Sequence, residues 1–518
     1  MYRTLIFTLV ILFVTSCTKG KLYEKKQPNI IYILADDLGY GDAQCYNPEG
    51  KIPTPNMDDM ANNGVRFTDA HTSSAVCTPT RYGILTGRYN WRTSLKSFVL
   101  SGYSKALIKP HRTTIADLLK QQGYSTAFIG KWHLGWDWDI EKADTSLNKQ
   151  ILDLRPKVDF SQPIKNGPST YGFDYSYGFC GSLDMPPYVW VENDMPTMVP
   201  RKETVNEDAK GFWRKGVTSN DFNHTDILQD VTNRAVCYIK KQTKQNKPFF
   251  LYLPLPAPHT PILPTTRFMG KSNTNMYGDF VMQVDDVLGQ IRKVLAETGM
   301  YENTLLVFTS DNGCSPKANL KELATVHHYP SHIYRGGKAD IYEGGHRVPF
   351  IIEWPNGAIK NTVVNQTICS TDFFATSAEI TGYTVKDNEG EDSYSILPFL
   401  KGKTNEDFRK YTVHHSLNGS FAIRKGDWKL CFCPGSGGWS DPTPATIKNQ
   451  HLELPPMQLF NLKDDPGEKN NLVEKYPVIV NELKVSMEKI ILDGRSTAGV
   501  VQNNDGMDNW WQIETIIN

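Results

Sequence analysis

The chain has 518 residues, more than one hydrophobic core usually organises, so a main domain with a smaller companion is expected. Lys plus Arg equals Asp plus Glu at 56 each, which excludes a global field that would recruit nucleic acid or a membrane, so an anionic polymer has to be bound locally. Nine cysteines are too few for a disulfide scaffold at this length, and the chain shows no internal repeat.

Met1-Tyr2-Arg3 and the apolar run from Leu5 to Val14 read as a secretory signal, too short for a convincing membrane span. Thr15-Ser16-Cys17 closes it in a way that resembles a bacterial lipobox, which implies lipidation of Cys17 as the mature amino terminus. The soluble body would then be tethered to the bacterial cell envelope, in the periplasm or at the cell surface, touching the membrane only through the lipid. Ordinary cleavage and secretion is the alternative. Residues 18–27 are polar and basic and read as the tether.

Asn29 to Ala35 is a β-branched apolar run of the length of a buried parallel strand, and it ends in Asp36-Asp37. Thr78 to Leu85 reads as a helix with Pro79 in its first turn, which places Cys77 and Arg81 one turn apart on one face. A further helix is expected over Thr114 to Gln122. Ser125 to Gly130 reads as a strand leading into Lys131-Trp132-His133, where alternation points Lys131 and His133 the same way. The segment Ser182 to Asp194 offers Asp184, Tyr188, Trp190 and Glu192 either as carbohydrate contacts or as a structured insert with its own small core. Phe249 to Leu253 reads as a strand running into a proline-rich stretch around His259, Tyr277 to Leu295 as a helix, and Thr304 to Ser310 as a strand ending in Asp311-Asn312-Gly313. His327, His328 and His332, just before Lys338, read either as contacts for a uronic acid or sulfate or as a solvated loop. Tyr411 to His415, Ser420 to Arg424, Trp428 to Phe432 and Gln458 to Leu462 read as short successive strands, with a closing helix between Asn471 and Leu492.

Carboxyl ends of buried strands are where open α/β sheets bind ligands. Asp36, Asp37 and Asp311 gathered there would repel one another and take up protons unless a cation sat among them. With Asn312 they offer oxygen donors only, which suits a hard ion such as Ca²⁺ or Mg²⁺ and argues against zinc.

Cys77-Thr78-Pro79-Thr80-Arg81 is a complete Cys-x-Pro-x-Arg and resembles the modification signature of type I sulfatases; Tyr334 to Lys338 and Ile341 to Pro349 resemble that family's second long signature. The resemblance covers roughly residues 28–490 and points to arylsulfatase A-like, glycan-degrading bacterial enzymes. It implies an alkaline-phosphatase-like α/β fold: a mixed, largely parallel sheet flanked by helices, then a small antiparallel sheet with one helix. The domains would be 28–395 for catalysis, 396–495 for the smaller unit and 496–518 for a tail.

It further implies that a formylglycine-generating enzyme converts Cys77 to 3-oxoalanine, whose hydrated aldehyde attacks sulfur. One Ca²⁺ would be held by Asp36, Asp37, Asp311, Asn312 and residue 77. Lys131 and Lys338 fall on sulfate-binding positions, Arg81 and His133 on positions that hold the gem-diol. His259 is the candidate for protonating the leaving oxygen, with Lys338 its rival. With Cys17 and Cys77 modified, seven cysteines remain, so at least one thiol stays free. The expected substrate is a sulfated glycan, with an exo-acting N-acetylgalactosamine or galactose 6-O-sulfatase of glycosaminoglycans or mucins as the best reading. Alternatives are an N-acetylgalactosamine 4-O- or N-acetylglucosamine 6-O-sulfatase, a phosphonate or phosphodiester hydrolase of the same superfamily, and an inactive glycan-binding lipoprotein.

Overall fold

Asn29–Asp36 is buried along its whole length, which accounts for its unbroken apolar run: side chains alternate between two faces, and both faces are covered. Ile31, Ile33 and Ala35 share a core with the helices Pro55–Asn63, Ile227–Gln242 and Met276–Glu297. Ile30, Tyr32 and Leu34 share another with Cys77–Thr86, Ile115–Gln121 and Phe373–Thr381. The structure is a computed structural model describing residues 27–141, 156–404, 408–506 and 510–517. Cys17 and nearly all of the expected tether lie outside the described residues. Among those described, no helix is long and apolar enough to cross a membrane.

The Asn29–Asp36 strand lies inside a ten-stranded sheet. Phe249–Pro258, Ser125–Lys131 and Tyr175–Phe179 follow it on one side and Thr304–Ser310 on the other, all parallel. Beyond Thr304–Ser310 the sheet continues through Phe350–Glu353, which runs antiparallel, then Val65–Phe67, antiparallel to that strand and so again parallel to the main set, to Thr362–Val364 at the edge. The mixed, largely parallel, helix-flanked sheet expected from sequence is therefore present. Pairing Ala35 with Ser310, and Asp36 with Pro258 after a register shift, brings the carboxyl ends of three neighbouring strands to one level.

A second, antiparallel sheet of Thr412–His415, Phe421–Lys425, Trp428–Cys431 and Gln458–Asn461 packs one face against the helix Pro477–Leu492, through Val413, Ile423, Leu430 and Leu459 on Leu483, Met487 and Ile491. Its other face carries Ala422, Cys431 and Phe460 onto Ile341 and Tyr342. The small sheet thus backs the segment that follows Lys338. Eight described cysteines are all free thiols. Sequence reading gave no warning of the hairpin Lys202–Asn206 and Trp213–Thr218, whose strands are half exposed and weakly apolar.

Candidate active site

Asp36 ends its strand, and Asp37 follows with φ 66°, a left-handed turn that brings a second carboxylate to the same place. The turn is fixed by the Asp37 N–H on Asp311 Oδ1 (3.3 Å), the Leu38 N–H on Ser310 Oγ (3.0 Å) and the Tyr277 hydroxyl on the Asp37 carbonyl (3.0 Å). Asn312 donates through Nδ2 to Asp37 Oδ1 at 2.7 Å. One ligand atom from each of Asp36, Asp311 and Cys77 lies within 4.8 Å of the others, and the same holds for Asp36, Asp37 and His259. Asp36 Oδ1 and Asn312 Oδ1 are buried and have no hydrogen-bond donor. A buried acceptor left so costs about 1–3 kcal/mol, and two among three carboxylates fit a hard cation bound through oxygen.

Three cations face this cluster. Asp36 Oδ2 accepts from Lys131 Nζ and lies 3.3 Å from Arg81 Nη2, while Lys338 Nζ sits 2.7 Å from Asp37 Oδ1. Burial pushes Asp36 up, but Lys131, His259 and Arg81 outweigh it and hold the carboxyl well below the usual range. Asp311, buried and beside that charge, is pushed up to about 7. Burial works against the Lys338 ammonium, yet Asp37 and its neighbours keep it charged.

Cys77 opens the helix Cys77–Thr86, so the positive helix end, Lys131 and Lys338 all favour a tetrahedral anion there. Burial raises the thiol's pKa more than the two lysines lower it; as a thiol it is a poor nucleophile. His133 has φ 54°, so the alternation expected from Lys131 breaks down beyond the strand end. Its Nε2–H donates to the Leu100 carbonyl at 2.9 Å, and Nδ1 is buried without a partner. Burial, Lys131 and Arg81 keep that ring neutral. His259 donates through Nδ1 to the Thr260 carbonyl, which leaves Nε2 as the titrating nitrogen, 3.7 Å from Asp37 Oδ2. Burial and Lys338 lower its pKa. Ser182 Oγ, 3.2 Å from Lys131 Nζ and 3.3 Å from His259 Nδ1, links the two.

A cavity of about 440 Å³ opens over these groups. Cys77, His133, His259 and Lys338 supply its polar floor; Val76, Val99, Met185 and Leu417 its apolar wall; Asp184, Arg214, Phe98 and Trp439 complete it. Asp184 Oδ2 is paired with Arg214, and its Oδ1 is buried with no partner. Sequence reading missed Arg214, Phe98 and Trp439. They lie on the unexpected hairpin and on two loops, with no motif to mark them.

Several expected placements differ. Arg81 is not on the cavity lining: its nitrogens are taken by Asp311, Asp36 and the Lys131 carbonyl, so it braces the carboxylates beside Cys77. Tyr188 and Trp190 are each 1% exposed; Trp190 stacks on Tyr177 and Tyr188 donates to the Arg214 carbonyl, so both are core and not sugar contacts. Glu192 pairs with Arg234 and Tyr175, away from the cavity. His328 is buried between Asp42 and the Lys51 N–H, and His327 and His332 are exposed outside the cavity lining. That loop is held by packing of His328, and none of its three rings lines the cavity.

The sulfatase family profile matches residues 28–383. An N-acetylgalactosamine-6-O-sulfatase of Bacteroides thetaiotaomicron is 34% identical over 504 residues, covering 90% of this chain and 93% of the relative. Arylsulfatase A of Homo sapiens is 30% identical over 509 residues, covering 94% and 92%. A solved Bacteroides thetaiotaomicron structure, described under metabolism of multiple glycosaminoglycans, superposes with a TM-score of 0.76 at 32% identity, covering 90% of this chain and 99% of that one. The chain belongs to the sulfatase family, whose members hydrolyse sulfate esters.

Proposed function

We propose that this sulfatase removes the 6-O-sulfate of a terminal N-acetylgalactosamine or galactose in glycosaminoglycan or mucin breakdown, with a formylglycine made from Cys77 and one Ca²⁺. The observation that carries the reading is the cavity: an anion-binding floor around Cys77, and in its wall Asp184 paired with Arg214, an acceptor and a donor for a sugar's hydroxyls. The 34% identical relative named for this activity supports the choice of sugar and position.

Asp36, Asp37, Asp311 and Asn312 would hold the Ca²⁺ with residue 77, and the ion would supply Lewis acidity at the sulfate oxygens. Lys131 and Lys338 neutralise the same oxygens as the ester bond breaks. His133, held through Nε2 on the Leu100 carbonyl, has Nδ1 free and would take up the proton that residue 77 gives up once converted. His259 Nε2, once protonated beside Asp37, gives its proton to the departing sugar oxygen, with Lys338 as the rival donor. Because Cys77 is only 2% exposed, its maturation enzyme acts before the helix is packed. A lipid on Cys17 would tether the enzyme to the bacterial envelope, and the mass of the mature amino-terminal peptide tests this.

Sulfate release from the 4- and 6-O-sulfates of galactose, N-acetylgalactosamine and N-acetylglucosamine tests the regiochemistry. Fastest release from 6-sulfated N-acetylgalactosamine or galactose is expected. Preference for a 4-sulfate or for N-acetylglucosamine 6-sulfate would keep the class and overturn the position.

A further inference from the structure

Phe98 and Trp439, both on the cavity lining, are each 46% exposed. Large aromatic rings are normally buried, and Phe98 also holds φ 62°, a left-handed conformation that costs a non-glycine residue about 1 kcal/mol. An exposed ring kept in a strained backbone at a cavity mouth points to use by a ligand.

Both rings are fastened to the reaction centre through one strip of chain. The Phe98 N–H donates to the Leu417 carbonyl (2.7 Å), the Leu417 N–H to the Ala339 carbonyl (2.9 Å), and the Ala339 N–H to the Ala75 carbonyl (2.8 Å), two residues before Cys77. The Trp439 N–H donates to Asp340 Oδ1 at 2.8 Å, and Gly438 lies against the Ala339 carbonyl with no room for a side chain. Residues 339 and 340 directly follow Lys338. The backbones that carry the two rings are therefore tied to both the sulfur-attacking residue and the sulfate-binding lysine.

Cys77, His133 and Lys338 on the lining are 0–6% exposed and the two rings 46%, so the rings stand at the outer end of the cavity, where the chain beyond the sulfated sugar has to leave it. We infer that Phe98 and Trp439 form a binding subsite for the saccharide next in the glycan chain, the one linked through C1 of the sulfated sugar. Their faces meet the C–H face of that ring, whose hydrogens carry the positive charge that an aromatic face attracts. This rests on the exo-acting sugar sulfatase reading.

The test compares a sulfated monosaccharide with the disaccharide that carries it at the non-reducing end, using whichever sulfate position the wild type hydrolyses. Trp439→Ala and Phe98→Gly are each expected to raise KM for the disaccharide about tenfold, leaving kcat, and both constants for the monosaccharide, within about twofold. Phe98→Gly suits the positive φ, so it removes the ring without stressing the fold, and Trp439→Phe should restore most of the affinity. Equal losses on both substrates, or no change on the disaccharide, would overturn the subsite. A wild type inactive on both the sulfated monosaccharides and the disaccharides that carry them at the non-reducing end would instead overturn the exo-acting reading.

Discussion

Arg81 holds Asp311 Oδ2 with two nitrogens, Nε at 3.0 Å and Nη2 at 2.7 Å, and the same Nη2 lies 3.3 Å from Asp36 Oδ2. One buried guanidinium thus ties the ends of two parallel strands. Arg81→Met is expected to cost about 3–5 kcal/mol in urea unfolding, because it leaves two buried carboxylates facing each other. Adding Asp311→Asn should recover part of it. A loss below about 1 kcal/mol would mean that the pair behaves like an exposed one.

The unpartnered Asp36 Oδ1 and Asn312 Oδ1 give Ca²⁺ a thermodynamic signature apart from turnover. Ca²⁺ at about a hundred times its dissociation constant should stabilise the fold by about 2.7 kcal/mol, seen as a higher melting temperature that chelation reverses. Asp37→Asn should remove most of that increment. An unchanged melting temperature with and without Ca²⁺ would speak against a metal here.

His259→Ala separates proton donation from sulfate binding. Turnover of a sugar sulfate, a poor leaving group, should fall much further than turnover of an activated aryl sulfate. Equal falls on both would assign His259 to sulfate binding and leave Lys338 as the proton donor.

Away from the site, Asp285 caps the helix Pro55–Asn63 by accepting the N–H groups of Asn56 (3.1 Å) and Met57 (2.8 Å). Burial pushes its pKa up to about 6. An acid with a raised folded pKa holds its proton more tightly in the folded chain, so its contribution is largest at low pH and declines as pH rises through about 6. The stability of wild type relative to Asp285→Asn should therefore fall by about 2 kcal/mol between about pH 4 and pH 7. A flat difference would show that the carboxylate is ionised throughout.

The site's floor was legible in the sequence because it hangs on strand ends. Asn29 to Ala35 and Thr304 to Ser310 are apolar on both faces, so their limits, and with them Asp36, Asp37, Asp311 and Asn312, could be read directly. The walls were not. Arg214 reaches Asp184 only because the Trp213–Thr218 strand returns beside the Asp184 loop, a contact between distant segments that no local pattern encodes. Tyr188 and Trp190 misled for a related reason: extended chain has two sides, and composition does not say which one meets the core. Strands as short as Val65–Phe67 carry too few residues to show a period.

The most direct test is the mass of the Cys77 peptide from enzyme produced with a formylglycine-generating partner, measured on the preparation whose sulfate release is assayed. Oxygen in place of sulfur with two hydrogens fewer, in a fraction that scales with activity, is the predicted result, with Cys77→Ala inactive. Full activity from a preparation whose Cys77 is entirely thiol would contradict the account.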